Sequence, residues 1–271
     1  MKKFLLACGL LLGVTTVFAQ EDKMLFNHVA VGAGVGTTGI TIDASTTITP
    51  YVGVRAGVNF LPKIKVNTEL DLDFNENIRT VYESALNEKL PETFDVQGKP
   101  NLTSGHVLFD LYPSKHSKIH LTVGAYFGSS DIVSVYNKED GALKNIYDFN
   151  HRRGVFENIE QFGHVTSEDK LGLVLGDYFI EPDENGNADA CIKVNGFRPY
   201  LGLGWGRAVP KNRIGFQFDL GVQFWGSPKI YLQDKQLEET DLDGDDGGLV
   251  KTLSKITVYP CLSFRLVGRI L

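Results

Sequence analysis

Ten polar residues carry most of the chemistry that this sequence could perform, and each stands at an alternate position of a largely apolar segment. They are Asp43, Arg55, His106, Asp110, His120, Arg198, Tyr200, Gln217, Asp219 and Arg265. Histidine near aspartate could form a proton relay, a solute path, or a catalytic pair such as a lipid-modifying enzyme uses. No serine or second carboxylate stands at a spacing that marks a triad, so the sequence favours a polar network that satisfies itself by ion pairs. We therefore expect no catalytic residue, no cofactor and no metal site.

Two acidic segments show a weaker pattern of metal ligands. Residues 239–246 place Asp241, Asp243 and Gly244 in the order of a calcium loop, but Val250 stands where the twelfth-position carboxylate is expected. Residues 183–189 form a similar acidic turn. The sequence therefore favours solvated acidic loops at both places.

The elements that position the ten polar residues follow from a period of two. In residues 214–224 every second side chain is apolar, and the residues between them are polar or glycine. Residues 119–128 and 197–206 repeat this division. Alternation over about ten residues is typical of a strand with one face on lipid and the other on a barrel interior.

Five further segments alternate less cleanly and bring the number of predicted strands to eight. They are residues 29–35, 40–48, 51–60, 106–112 and 256–270. The inward face of the eight strands would also hold Gln223 and Arg269. We expect the inward glycines to make room for the long guanidinium groups. These glycines are Gly53, Gly57, Gly124, Gly202, Gly204 and Gly221.

The connections give an independent indication of topology, because outer-membrane barrels have short periplasmic turns and long extracellular loops. The short connections lie at residues 49–50, 113–117 and 208–212, and the long ones at 61–94, 129–195 and 227–249. The sequence therefore predicts an all-β fold, an antiparallel up-and-down transmembrane β-barrel of about eight strands with long extracellular loops. Both ends of the barrel domain would lie in the periplasm.

One long connection contains a candidate helix. Ile78, Val81, Tyr82, Ala85 and Leu86 have helical spacing and are followed by a proline at position 91. We expect a short amphipathic helix that begins after residue 77. Its apolar face would pack on the barrel rim or dock a partner.

The first residues are typical of a secretory signal peptide. Positive charge at Lys2 and Lys3 precedes an apolar stretch, and small residues precede a cleavage position after Ala19. Cys8 leaves open the alternative of a lipoprotein signal. We predict a signal peptide at residues 1–19 and an outer-membrane barrel domain at residues 20–271, where no apolar run reaches the about 18 residues that a spanning helix needs.

Composition excludes several classes of protein. The 27 basic and 33 acidic residues leave no positive surplus for nucleic acid. Two cysteines outside the predicted signal, Cys191 and Cys261, are not a disulfide framework. A soluble barrel such as a lipocalin would also alternate, but its apolar face points inward, which would leave the inner arginines and glycines unexplained.

Several motifs along the strands resemble one group of proteins. They are residues 36–40 (GTTGI), 54–60 (VRAGVNF), 108–113 (LFDLYP), 120–126 (HLTVGAY), 199–206 (PYLGLGWG) and 218–229 (FDLGVQFWGSPK). They are similar to a family of poorly characterised Gram-negative outer-membrane barrels, related in style to the OmpA and OmpW type. The resemblance covers the strands and not the long loops, and it implies a location and a fold without an activity.

Three functions fit these observations. The first is a non-enzymatic barrel with a plugged, narrow interior, whose surface loops serve envelope integrity or surface contacts. The second is a carrier of small apolar solutes or lipids, and the third is a lipid-modifying barrel enzyme. The expected partners are outer-membrane lipids and the barrel-insertion machinery. The surface partner is open.

Overall fold

The protein is described by a computed structural model that covers residues 28–73, 76–151, 170–175, 178–232, 235–237 and 257–270. In chain order its elements are β1 (Val29–Gly36), β2 (Gly39–Thr49), β3 (Val52–Phe60), β4 (Val66–Asp73), α1 (Glu76–Leu86), β5 (Thr93–Pro100), β6 (Ser104–Leu111), β7 (Ile119–Gly128), β8 (Asp131–Asn137), α2 (Lys144–His151), β9 (Gly172–Leu175), β10 (Tyr178–Ile180), β11 (Ala190–Lys193), β12 (Phe197–Trp205), β13 (Ile214–Phe224), β14 (Lys229–Leu232), β15 (Lys235–Gln236) and β16 (Val258–Arg269). The predicted signal peptide, the acidic segment 239–246 and Ile256 lie outside the described residues.

Eight antiparallel strands close into a barrel in the order β1-β16-β13-β12-β7-β6-β3-β2. Each barrel strand pairs with the barrel strand that comes next in the sequence, and pairing of β1 with β16 closes the ring. These strands coincide with the eight segments that alternate in the sequence. The predicted all-β, up-and-down barrel is therefore confirmed.

The barrel turns its apolar side chains outward. On β13, Ile214 and Leu220 are 64% and 57% exposed, whereas the intervening Gln217 and Asp219 are 0% and 1% exposed. The other barrel strands divide in the same way, with exposed aliphatic and aromatic residues outside and buried polar residues inside. So large an apolar surface is stable only against lipid, and this distribution is that of an outer-membrane barrel. The chain is an outer-membrane β-barrel protein, and the soluble-barrel alternative is excluded.

The two ends of the barrel differ as an outer-membrane topology requires. The short turns at residues 50–51, 112–118 and 206–213 lie at the end where β1 begins and β16 ends. That end is periplasmic by the usual arrangement of such barrels. Among the described residues, no helix is long and apolar enough to cross a membrane.

The long extracellular connections are not merely loops. They contribute to a second antiparallel sheet of eight strands, in the order β10-β9-β4-β5-β8-β11-β14-β15. The long connections predicted from the sequence are present, and they contain strands that the sequence pattern did not reveal. The strands escaped notice because several are only two to four residues long.

The second sheet prolongs one side of the barrel wall. Five of its neighbouring strands, β4-β5-β8-β11-β14, follow the same order as the barrel strands β3-β6-β7-β12-β13 to which the chain joins them. Only residues 129–130 separate β7 from β8, and residues 194–196 separate β11 from β12. The β1–β2 hairpin has no such extension and ends in a tight turn at residues 37–38.

The second sheet has its own apolar core, to which both helices contribute. Ile78, Val81 and Tyr82 of α1 pack in one cluster with Leu72 and Val96 of the sheet. The predicted helix is thus present, but it begins at residue 76 and its apolar face packs on this sheet instead of the barrel rim.

The second helix completes the same core from the other long connection. Phe149 of α2 meets Tyr82 edge to face, with ring centroids 5.2 Å apart. Asn150 donates to the carbonyl of Leu171 at 2.8 Å and accepts from its backbone N–H at 3.0 Å. These contacts make the extracellular part a folded unit and not a set of solvated loops.

The acidic segment 183–189 is a structured turn within this unit. The Asp183 carboxylate accepts the backbone N–H groups of Asn185 at 2.9 Å and Asn187 at 2.8 Å. Gly186 adopts a positive φ of 80°, which glycine tolerates best. Burial, followed by the carboxylates of Asp183 and Asp140, raises the pKa of Asp189 above its ordinary value of 3.8.

We predict that the protein fractionates with the outer membrane and migrates differently on a denaturing gel before and after boiling. A closed barrel satisfies every ladder hydrogen bond internally, so detergent alone does not open it. Recovery from the soluble periplasmic fraction, or a single mobility at all temperatures, would contradict this prediction.

A second prediction concerns Asp189. Because the pKa of Asp189 is raised in the folded protein, ionisation of its carboxyl group opposes folding of the second sheet. The free energy of unfolding therefore begins to fall as the pH rises above 3.8, and the decrease is complete once the pH exceeds the raised pKa. Asp189→Asn should therefore slow amide hydrogen exchange of β11 in detergent micelles at neutral pH, and should have no effect at about pH 3. Glu184→Gln, which removes an exposed carboxylate from the same turn, is the control. Equal effects of both variants, or an effect that persists in acid, would refute the assignment.

Candidate functional site

The barrel interior contains a cluster of buried charges centred on Arg55. Its guanidinium lies between two carboxylates, with Nη2 2.8 Å from Asp110 Oδ1 and Nη1 3.0 Å from Asp219 Oδ2. At most 4% of each of these three side chains is exposed. The strands β3 and β13 stand on opposite sides of the ring, so the contact between Arg55 and Asp219 crosses the barrel.

A second ion pair joins β2 to β16. Arg265 binds Asp43 with two nitrogens, of which Nε donates to Asp43 Oδ2 at 2.6 Å. Arg265 Nη1 also donates to Gln217 Oε1 at 2.6 Å, and Gln217 Nε2 donates to Asp110 Oδ2 at 2.9 Å. The amide of Gln217 therefore connects the two ion pairs into one network.

His120 is the third side chain of the network that can carry a positive charge. Its Nε2 lies 2.9 Å from Asp219 Oδ1, and its Nδ1 lies 3.3 Å from the backbone carbonyl of Lys118. Three aspartates against two arginines leave the network one negative charge in excess, which a protonated His120 would neutralise. Thr122 supports the same carboxylates by donating to Asp110 Oδ1 at 2.9 Å.

His106 belongs to a separate hydrogen-bonded chain nearer the extracellular end. Its Nδ1 lies 3.1 Å from Asn59 Nδ2, and Thr41 donates to Asn59 Oδ1 at 2.6 Å. A cavity of about 20 Å³ lies between this chain and the ion pairs. That volume holds about one water molecule.

Arg198 and Tyr200 are inside the barrel but do not belong to the network of aspartates. Arg198 donates through Nε to the carbonyl of Asn195 at 2.9 Å and through Nη2 to the carbonyl of Ser129. It therefore anchors the junctions between the barrel and the second sheet. Tyr200 packs in an apolar cluster with Leu108 and Tyr126. The structure places both residues in the barrel interior but away from the aspartates, because a sequence pattern gives the face of a residue but not its partner.

The inward glycines make room for side chains other than the arginines that we expected. A Cβ atom at Gly202 or Gly221 would collide with the phenol of Tyr200. A Cβ atom at Gly32 would overlap the guanidinium of Arg265. Gly32 was not among the glycines that we predicted to make room for an arginine. Close packing, rather than arginine alone, requires glycine on the inward face.

Apolar contacts close the interior at both ends. At the periplasmic end, Val209 from the β12–β13 turn packs with Ala30 and Val267 beneath the charges. At the extracellular end, the rings of Trp225 and Tyr259 lie 4.7 Å apart within a cluster that includes Val194. Within the described part of the chain, packed polar and apolar side chains therefore fill the interior.

The chemistry available to this arrangement is limited by Arg55. Asp110, His120 and Asp219 carry possible ligand atoms within 4.8 Å of one another, a grouping that can hold a metal ion. A cation there would have to displace a guanidinium that already binds both carboxylates. A substrate would have to pass one of the apolar seals. The geometry is that of a structural ion-pair network.

Most of these residues were predicted from the sequence, but Ser45 and Thr122 of the network and Asn59 of the chain that includes His106 were not. Ser45 accepts from Arg265 Nη2 at 3.2 Å and donates to the carbonyl of Ala208 at 2.7 Å. Thr122 and Asn59 form the contacts described above. All three stand on the inward face by the same alternation, so counting every polar inward residue would have found them.

We predict that Asp219→Ala destabilises the barrel by about 3 kcal/mol or more, because it removes one of the two carboxylates that bind Arg55 and the carboxylate nearest His120 in a buried interior. The measurement is urea-induced unfolding in phospholipid vesicles. Asp95→Ala is the control, because it removes the carboxylate of an exposed ion pair with Lys138 at 2.7 Å and should change stability little. Equal losses in the two variants would show that the interior charges are solvated.

Comparisons with known proteins give a distant resemblance to solved barrels. No protein-family model and no curated protein matches the chain. Two crystal structures of Acinetobacter baumannii proteins, CarO and CarO2, are similar to it at 15% identity and a TM-score of 0.43. In both comparisons 92% of this chain is covered, together with 99% of CarO and 100% of CarO2. The resemblance to barrels of the OmpA and OmpW type stays a prediction, and the barrel fold rests on the strand pairing of the chain itself.

Proposed function

We propose that this chain is a non-enzymatic, non-conducting outer-membrane barrel that holds a folded β-sheet at the cell surface, where the sheet makes surface contacts or contributes to envelope integrity. The observation that carries the proposal is the continuity of five barrel strands with the second sheet. A filled barrel is a rigid support, and a sheet with its own core keeps surface residues in fixed positions.

The filled interior supports the non-conducting part of the proposal. An eight-stranded barrel leaves an interior just wide enough for side chains, whereas porins use sixteen or more strands. Here the charged side chains of the network bind one another, and apolar clusters lie above and below them. The cavity between the layers has room for about one water molecule.

The polar face of the second sheet supports the surface role. On the face opposite its apolar core, Gln97 accepts a hydrogen bond from Tyr136 at 2.9 Å and donates to Asn67 at 2.9 Å. Lys138 and Asp95 form an ion pair beside them. Hydrogen bonds across adjacent strands hold these groups in an ordered array, as a contact surface requires.

The carrier and enzyme alternatives have less support from the geometry. A lateral gap for a solute would need two neighbouring barrel strands to separate, but every neighbouring pair in the ring is hydrogen-bonded over most of its described length. A lipid-modifying enzyme needs a reactive group that lipid can reach. The His120–Asp219 pair lies in the dry interior instead.

The first test is electrical. In planar bilayers the unmodified protein should show no stable conductance of porin size, because no continuous water path crosses the packed layers. A sixteen-stranded porin inserted in the same bilayers provides the positive control. Porin-like conductance from this chain would contradict the non-conducting part of the proposal.

The second test distinguishes a function of the surface sheet from a function of the barrel interior by expressing variants in a deletion strain. Gln97→Arg with Tyr136→Arg should leave heat-modifiable barrel assembly intact but fail to restore whatever phenotype the deletion produces. Arg265→Lys, which alters only the interior, should restore that phenotype if it assembles. The reverse pattern would favour a function inside the barrel.

A further inference from the structure

The periplasmic mouth of the barrel contains a pocket that the proposed function does not use. Its volume is about 250 Å³. Its basic lining residues come from two periplasmic turns and from the two ends of the barrel domain. They are His28, Lys115, Arg207, Lys211 and Arg269. None of the described residues that line the pocket is acidic.

Arg207 is a fixed positive charge in the wall of this pocket. Its Nη1 donates to the backbone carbonyls of Lys115 at 3.0 Å and Ser117 at 3.1 Å, and its Nη2 donates to the carbonyl of Pro50 at 2.9 Å. The guanidinium also lies 4.3 Å from the ring centroid of Tyr112. Arg207 thus ties together the three turns that form the mouth, and its charge cannot swing away into solvent.

His28 adds a polar atom that the described part of the chain leaves unsatisfied. Its Nδ1 is buried and has no hydrogen-bond partner among the described residues. Buried polar atoms are nearly always hydrogen-bonded, so a buried nitrogen in the lining of a pocket suggests a ligand or a bound water there. The imidazole can supply a donor to an anion.

The surroundings concentrate the positive potential at this mouth. Val209 lines the pocket and packs with Ala30 and Val267 in a buried apolar cluster. The nearest charged layer of the interior has its carboxylates committed to Arg55 and Arg265. A cleft lined by charges of one sign over low-dielectric walls attracts counter-ions strongly.

We propose that the periplasmic mouth is a binding site for a phosphate group. The positive charge of several basic side chains around one pocket exceeds the single negative charge of a carboxylate and suits a phosphate group better. Arginine and lysine are the usual protein ligands of phosphate. Two sources have this chemistry at this location: the headgroup of an anionic phospholipid in the inner leaflet, and a soluble phosphorylated molecule of the periplasm. The inference is independent of the surface function proposed above.

The test uses the full chain folded in zwitterionic detergent and titrated with inorganic phosphate by calorimetry. Lys211→Gln with Arg269→Gln should weaken phosphate binding by about tenfold or more, since each removes one charge-assisted contact. Lys118→Gln with Arg213→Gln is the matched control, because it removes the same charge from the same end of the barrel without altering the pocket lining. The change in gel mobility on boiling verifies that each variant is folded.

The source of the phosphate group is distinguished by a second arm. The chain is reconstituted in phosphatidylcholine vesicles with and without phosphatidylglycerol, and protection of the periplasmic turns is measured by hydrogen exchange. Protection that depends on phosphatidylglycerol and on Lys211 and Arg269 supports a lipid headgroup, and binding of inorganic phosphate alone supports a soluble source. Equal binding of acetate, equal losses in the control variant, or no binding in either arm would overturn the site.

Discussion

The constraint on which this structure depends is the neutralisation of charge inside a ring too narrow for a water-filled channel. Eight strands leave space for side chains alone, so a guanidinium placed there must find acceptors on other strands. Arg55 finds them on β6 and β13, and the second of these contacts spans the barrel. Gln217 and His120 extend the arrangement to β16 and β7. A network of this kind fixes the relative positions of strands that share no backbone hydrogen bonds.

The wall of the barrel is surrounded by lipid along the membrane-spanning strands and by water along the second sheet. The apolar side chains therefore face outward in the first part and inward in the second. Within the bilayer Leu201 of β12 points outward and Arg198 inward. Beyond the junction, Val194 lies on the same side of the wall as the inward residues of β12, and it is buried in an apolar cluster. The neighbouring Lys193 of β11 lies on the other side, with its Nζ 4.7 Å from the ring centroid of Tyr231. Phe127 and Phe197 lie at this boundary with ring centroids 5.4 Å apart, in the position of an aromatic girdle.

This inversion explains how far the sequence could predict the fold. Long segments with one apolar face, such as residues 214–224, identified every barrel strand and the face on which each polar residue lies. The second sheet was missed because five of its strands have only two to four residues. In addition, its apolar side chains face a protein core instead of lipid. Residues 69–72 do alternate acidic and leucine residues, which is a strand signal that could have been used. The partners of Arg198 could not be predicted, because they are backbone carbonyls that only the folded chain brings together.

The interior network and the extracellular sheet are mechanically connected. The strands joined by Arg55 and its partners, namely β3, β6, β7 and β13, are four of the five that continue into the second sheet as β4, β5, β8 and β14. Arg198 fixes the fifth, β12, through the junctions at Ser129 and Asn195. The β1–β2 hairpin, which has no such extension, meets this network through the pair of Asp43 and Arg265. The buried charges therefore lie beneath the part of the wall that supports the sheet, and they stiffen its base by interactions that neither lipid nor water can replace.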